Sequence, residues 1–148
     1  MSGGDTTAAI AGAGNTSGSS PGYVDNAESY DGSSWSEVSE TNTAKGFGAS
    51  GTQTPATAAL IFGGNVNASP DFVGTTEYCN GSSWTELNDL NTARTNLAGA
   101  GSAYTAALAA TGKNGGGKDN VESFNGSSWT EIAEVNTTRP EGGVGTGT

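Results

Sequence analysis

The chain has no histidine, a single cysteine (Cys79), a single methionine and only 5 Lys+Arg in 148 residues. Without histidine, neither Ser-His-Asp nor Cys-His nucleophilic machinery can be assembled, and His-ligated zinc or copper is excluded. One cysteine cannot form an internal disulfide and says little about compartment. The few basic residues face 15 Asp+Glu, for a formal charge of −10. That field repels a phosphate backbone, and the basic residues form no patch, so nucleic acid is not an expected partner. No stretch approaches the roughly 18 apolar residues of a membrane helix, so membrane insertion is not expected. The start, Met1 to Asp5, has neither the basic segment nor the apolar core of a signal peptide. An extracellular location would therefore be reached by another route.

What is present is glycine, 25 residues of it, with long Ser, Thr, Ala and Asn runs and only 32% hydrophobic residues. Such a composition can mark disorder, but disorder has no reason to keep a register. Here the polar runs recur around Trp35, Trp84 and Trp129, which are 49 and 45 residues apart. The text from Tyr30-Asp31-Gly32-Ser33-Ser34-Trp35 returns as Cys79-Asn80-Gly81-Ser82-Ser83-Trp84 and as Phe124-Asn125-Gly126-Ser127-Ser128-Trp129. A second anchor follows each tryptophan: Asn42 to Lys45, Asn91 to Arg94, Asn136 to Arg139. A third precedes each, with Thr7-Ala8-Ala9-Ile10, Thr57-Ala58-Ala59-Leu60 and Thr105-Ala106-Ala107-Leu108. Three anchors in one order, three times over, define an internal repeat.

Each unit reads as short strands. Gly32, Gly81 and Gly126 follow Asp or Asn and mark hairpin turns, because these residue types tolerate positive φ. The turn joins a strand such as Asn120–Phe124 to one such as Trp129–Ile132. Ala58 to Phe62 is a buried strand ended by Gly63-Gly64, and Asn96 to Gly101 is a strand of unusually small residues. Four strands in under 50 residues is the size of a propeller blade, whose innermost strand favours small residues near the axis. The expected class is all-β, with blade units at about 5–53, 54–102 and 103–148, the last completed by an N-terminal segment.

The apolar strand Leu60-Ile61-Phe62 ending in Gly63-Gly64, with Tyr78 and then Trp84, resembles the kelch repeat. The first unit departs from it with Gly12-Ala13-Gly14, and the third with Gly112 and a displaced Gly115-Gly116-Gly117. Units of this type are also similar to kelch-like repeats in structural proteins of marine bacteriophages. The resemblance implies a β-propeller and a component of a virion tail, fibre or decoration. It brings no cofactor here, since the copper chemistry of some kelch-fold oxidases needs histidine.

Propellers have about four to eight blades, so three cannot close a ring and would leave bare strand edges. The expected solution is half of a six-bladed propeller closed by homodimerisation, with a trimer or an open array as alternatives. In that scheme Gly142 to Thr146 supplies the inner strand of the partner's first blade, deletion of 140–148 is disruptive, and loss of Met1 to Gly4 matters little.

Candidate chemistry is sparse. Trp35, Trp84 and Trp129 are expected as blade-core aromatics rather than sugar platforms, with Tyr30, Cys79 and Phe124 filling the slot beside them. Cys79 there is a buried stand-in for an aromatic. Glu28, Glu77 and Glu122, and Glu37, Glu86 and Glu131, recur in every unit. Such repetition points to structural hydrogen bonding or a solvated face, since a catalytic pair needs two different environments. Lys45, Arg94 and Arg139 are expected to form inter-blade ion pairs with Glu40, Asp89 and Glu134. The variable loops carry Asn65, Asn67, Asp71, Asn114 and Asp119, the candidates for ligand recognition. No transition metal is expected, and a loop site for calcium, if there is one, would draw on Asp71, Asp119 or Asp25. The expected function is a non-catalytic structural and interaction module whose partners are its own copies, other virion proteins or cell-surface glycans. The alternative is a propeller lectin with one shallow site per blade.

Overall fold

The computed structural model describes residues 2–4, 7–17, 22–51 and 56–141, and among them it is all-β, with three four-stranded antiparallel sheets. The first sheet runs β1 (Ser2–Gly4), β2 (Ala9–Asn15), β3 (Tyr23–Tyr30), β4 (Trp35–Val38). The second runs β5 (Ala49–Ser50), β6 (Ala59–Asn65), β7 (Phe72–Cys79), β8 (Trp84–Leu87), with a 3₁₀ turn at Ala56–Ala58 leading into β6. The third begins with β9 (Ala98–Ala103) and β10 (Ala106–Ala110), then a small hairpin of β11 (Lys113–Asn114) and β12 (Gly116–Gly117) intervenes. It finishes with β13 (Val121–Phe124) and β14 (Trp129–Ile132). The second and third sheets thus take their first strand from the end of the preceding repeat unit, one strand out of phase with units 5–53, 54–102 and 103–148.

The second sheet lies between the other two and is buried on both faces. Along β6, Ala59 and Ile61 join Ile10, Ala27, Cys79 and Trp84 in a core against the first sheet. Leu60 and Phe62, pointing the other way, join Ala107, Ala109, Phe124 and Trp129 in a core against the third. The period-two alternation of a strand explains why this run is buried from Ala59 to Gly64, whereas β2 and β10 are buried only at alternate positions. The small-residue strands are a packing requirement. A Cβ on Gly99 would stand 2.1 Å from the Ser50 carbonyl oxygen, and one on Gly101 would stand 2.2 Å from that of Gly51.

Each hairpin loop is built in the same way. The Asp31 carboxylate accepts the Ser33 and Ser34 amides at 2.8 and 2.9 Å. Asn80 and Asn125 do the same for Ser82 and Ser83, and for Ser127 and Ser128. Those amide bonds hold the Asp31 carboxyl below its ordinary value. Only the glycine of each loop takes positive φ, 97°, 92° and 94° at Gly32, Gly81 and Gly126. A Cβ there would meet Thr57 at 2.8 Å from Gly81, and Thr105 at 2.8 Å from Gly126. The threonine of one anchor therefore packs on the glycine of another, which is why the two repeat together.

The glycine doublet of β6 marks a bulge, as Gly12 to Gly14 does in β2, and the third sheet keeps the same positive-φ pair at Thr111 and Gly112. Ala13, Gly63 and Thr111 share φ of 56°, 59° and 64° between them, Gly63 having the largest. A left-handed conformation strains a β-branched residue, and the Thr111 hydroxyl is also buried without a partner. Thr111→Gly is expected to raise unfolding free energy by about 1 kcal/mol in urea titration, strain relief outweighing the added chain entropy. A loss of stability would show that Thr111 contributes packing instead.

Two expectations need correction. The inner edge of the first sheet is occupied by β1, with Ser2 opposite Ala11, Gly3 opposite Ile10 and Gly4 opposite Ala9. That edge is the one expected to take Gly142 to Thr146 of a partner. The chain's own N-terminus can reach it because the link between β1 and β2 is short, so losing Met1 to Gly4 now uncovers an edge rather than mattering little. Gly142 to Thr146 lies outside the described residues. Trp35, expected in a core, is 50% exposed, whereas Trp84 and Trp129 are 7% and 5% exposed. Each buried tryptophan packs on the sheet before its own, and no described sheet precedes the first.

Candidate assembly interface

Adjacent sheets are fastened by a buried polar clasp that appears twice. In the first instance Glu77 of β7 accepts the Asn42 amide at 2.6 Å and the Asn42 side-chain nitrogen at 3.1 Å through one carboxylate oxygen. Its other oxygen lies 3.2 Å from Lys45 Nζ, both side chains being fully buried. Lys45 Nζ also donates to the Thr75 carbonyl at 3.2 Å and to its hydroxyl at 3.1 Å. Burial pulls the Lys45 ammonium below its ordinary value, with Glu77 opposing.

In the second instance Glu122 of β13 accepts the Asn91 amide and side chain at 2.7 and 3.0 Å. It also takes the Thr92 amide at 3.3 Å and a fully buried ion pair with Arg94. Arg94 Nη1 donates to the Thr92 carbonyl and Nη2 to the Ala109 carbonyl, each at 3.0 Å. Charged groups are buried only when paired and hydrogen-bonded, and both carboxylates meet that condition.

Lys45 and Arg94 form ion pairs between adjacent sheets, as expected, but with Glu77 and Glu122 rather than with Glu40 and Asp89. Folding-back within a unit would leave Glu77 and Glu122 buried alone. A signal was present: position 28, 77 and 122 is Glu every time, while 40, 89 and 134 alternates Glu and Asp. Glu37, Glu86 and Glu131 sit directly opposite these residues on the neighbouring strand and are exposed.

The tryptophans accompany the clasp. Trp129 meets Phe62 of the second sheet with ring centroids 4.8 Å apart and donates from Nε1 to the buried Thr76 hydroxyl at 2.9 Å. Trp84 packs on the first sheet, where a Cβ at Gly12 would come within 2.9 Å of its ring. Ala27 stands there in the place of Thr76, and Trp84 Nε1 finds no acceptor. The neighbouring slot holds Phe124 4.9 Å from Trp129, Tyr30 5.2 Å from Trp35, and Cys79 opposite Trp84. Cys79 is buried, which pushes its thiol up, and its sulfur accepts the Gly81 amide.

No known protein-family profile matches the chain, and no curated protein matches it.

The loop candidates do not converge. Asn67 bridges two sheets, accepting from Gly22 N at 3.2 Å and donating to the Tyr23 carbonyl at 3.4 Å. Asn65 is 3.5 Å from Asp71, and Asn114 donates to the Ala93 carbonyl at 2.8 Å. Asp25 and Asp119 occupy corresponding places on the first and third sheets, where their carbonyls accept from Thr41 N and Val135 N. Among the described residues no three Asp, Glu, Cys or His side chains gather in one group. The displaced Gly115-Gly116-Gly117 run forms the turn and second strand of the β11–β12 hairpin, with Lys113 opposite Gly117 and Asn114 opposite Gly116.

Proposed function

We propose that the chain is a non-catalytic structural and interaction module, three blades of a kelch-like β-propeller that act by assembling with further copies. Its two-chain form is a six-bladed ring, and its setting a virion tail, fibre or decoration. The observation that carries this reading is the repetition of one sheet-to-sheet contact. The second sheet receives Trp129 as the first receives Trp84, and both junctions carry the same clasp. The small-residue strands of successive sheets lie side by side, with β5 against β9. Glu77 and Glu122, the carboxylates best shielded from water, are occupied by structural bonds. Light scattering at low ionic strength is expected to return the mass of two chains. A well-folded species of one chain mass would remove ring closure and leave an open array. A lectin with one tryptophan platform per blade has less support, because two of the three tryptophans are buried. Binding on a glycan array that survives Trp35→Ala would revive a loop-based version of it.

A further inference from the structure

The clasp that joins the sheets twice inside the chain is half-made at each end of it. On the first sheet, Glu28 pairs in register with Ala11 and Glu37, as Glu77 does with Ile61 and Glu86 and Glu122 with Ala109 and Glu131. Its carboxylate is exposed and has no bonding partner among the described residues. On the third sheet, the Asn136 to Arg139 segment is set as its two counterparts are. Val135 N donates to the Asp119 carbonyl at 3.0 Å, as Thr41 N does to Asp25 and Leu90 N to Gly74. Gly112 N donates to the Arg139 carbonyl at 3.1 Å, as Gly14 N does to Lys45 and Gly64 N to Arg94. Arg139 Nη1 even turns back to the Thr137 carbonyl, at 3.4 Å, as Arg94 turns to Thr92. The donors are thus prearranged by their own sheet, and among the described residues no carboxylate pairs with Arg139.

The apolar surfaces match in the same sense. Inside the chain, Trp84 is received beside Ile10 and Val38, and Trp129 beside Leu60 and Leu87. The next members of those two series are Leu108 and Ile132, which are 38% and 43% exposed on the third sheet. Trp35 is the tryptophan left without a receiving sheet.

Resting on the assembly reading above, we infer that the third sheet of one copy docks on the first sheet of a second copy of this chain. Arg139 and Asn136 of one copy close on Glu28 of the second, and Trp35 of the second copy is covered by Leu108 and Ile132. The contact is heterologous and is made by faces, not by strand exchange, so β1 can stay on its edge. One bond of the internal junctions has no counterpart. Gly46 and Thr95 exchange two amide bonds with Asn65 and Lys113, and Pro140 stands where they do and cannot donate.

The test is a charge exchange in the full chain. Glu28→Arg and Arg139→Glu each place like charges at the junction, and both sites are exposed, so each variant keeps the wild-type circular dichroism. Each is expected to weaken self-association by at least about 100-fold, the scale of a broken desolvated ion pair. Mixed one to one, the two variants face each other with opposite charges at both junctions, and the dimer mass is expected to return. Folded variants that associate like the wild type would overturn the clasp while leaving the assembly reading standing, as would separated variants that stay apart on mixing. A wild-type chain that is monomeric at high concentration would overturn both.

Discussion

Trp84→Ala lowers the unfolding free energy by about 3–5 kcal/mol in urea denaturation, the loss usual for a large aromatic cut from a packed core. Its ring fills the space over Gly12 between the first two sheets, and close packing limits how far its neighbours can relax into the hole. Trp35→Ala is the informative contrast. The same residue at the same place in its repeat is half exposed, so its removal is expected to change the stability of the single chain by less than about 1 kcal/mol. Its effect should fall on self-association, read by sedimentation at equal loading. Equal destabilisation by both substitutions would mean that Trp35 is covered within the chain after all.

Arg94→Ala is expected to cost about 3–5 kcal/mol, because it leaves Glu122 buried without a counter-charge. The remaining donors, the Asn91 and Thr92 amides, cannot neutralise it. Replacing both members, as Arg94→Met with Glu122→Leu, should recover most of that loss, since a buried ion pair gains little over apolar groups of similar volume. Chemical denaturation of the three variants separates these cases. If Arg94→Ala cost under 1 kcal/mol, water would have to reach the clasp.

The sequence by itself determined the repeat, the strand chemistry and the turns. Alternation, the Asp/Asn-Gly loops and the small-residue strands are local signals, carried by residues within a few positions of one another. They place β13 and β14 to within a residue of their observed ends, whereas β3 and β7 start earlier than the same pattern would suggest. The burial of Trp84, Trp129 and Cys79 was legible too, since each occupies one slot of a recurring strand pair. The partner of a buried charge was not. Lys45 has carboxylates nearby in sequence, yet it bonds to Glu77, which only the stacking of one sheet on the next brings within reach. Nor could the repeat reveal that its three tryptophans are unequal. Identical local text gives identical strands, but burial depends on whether another sheet lies opposite, and that is decided by position in the stack. The inner edge of the first sheet was settled the same way. Ser2–Gly4 carries little strand signal of its own, and it pairs there because an unsatisfied row of backbone groups on β2 lies within reach of it.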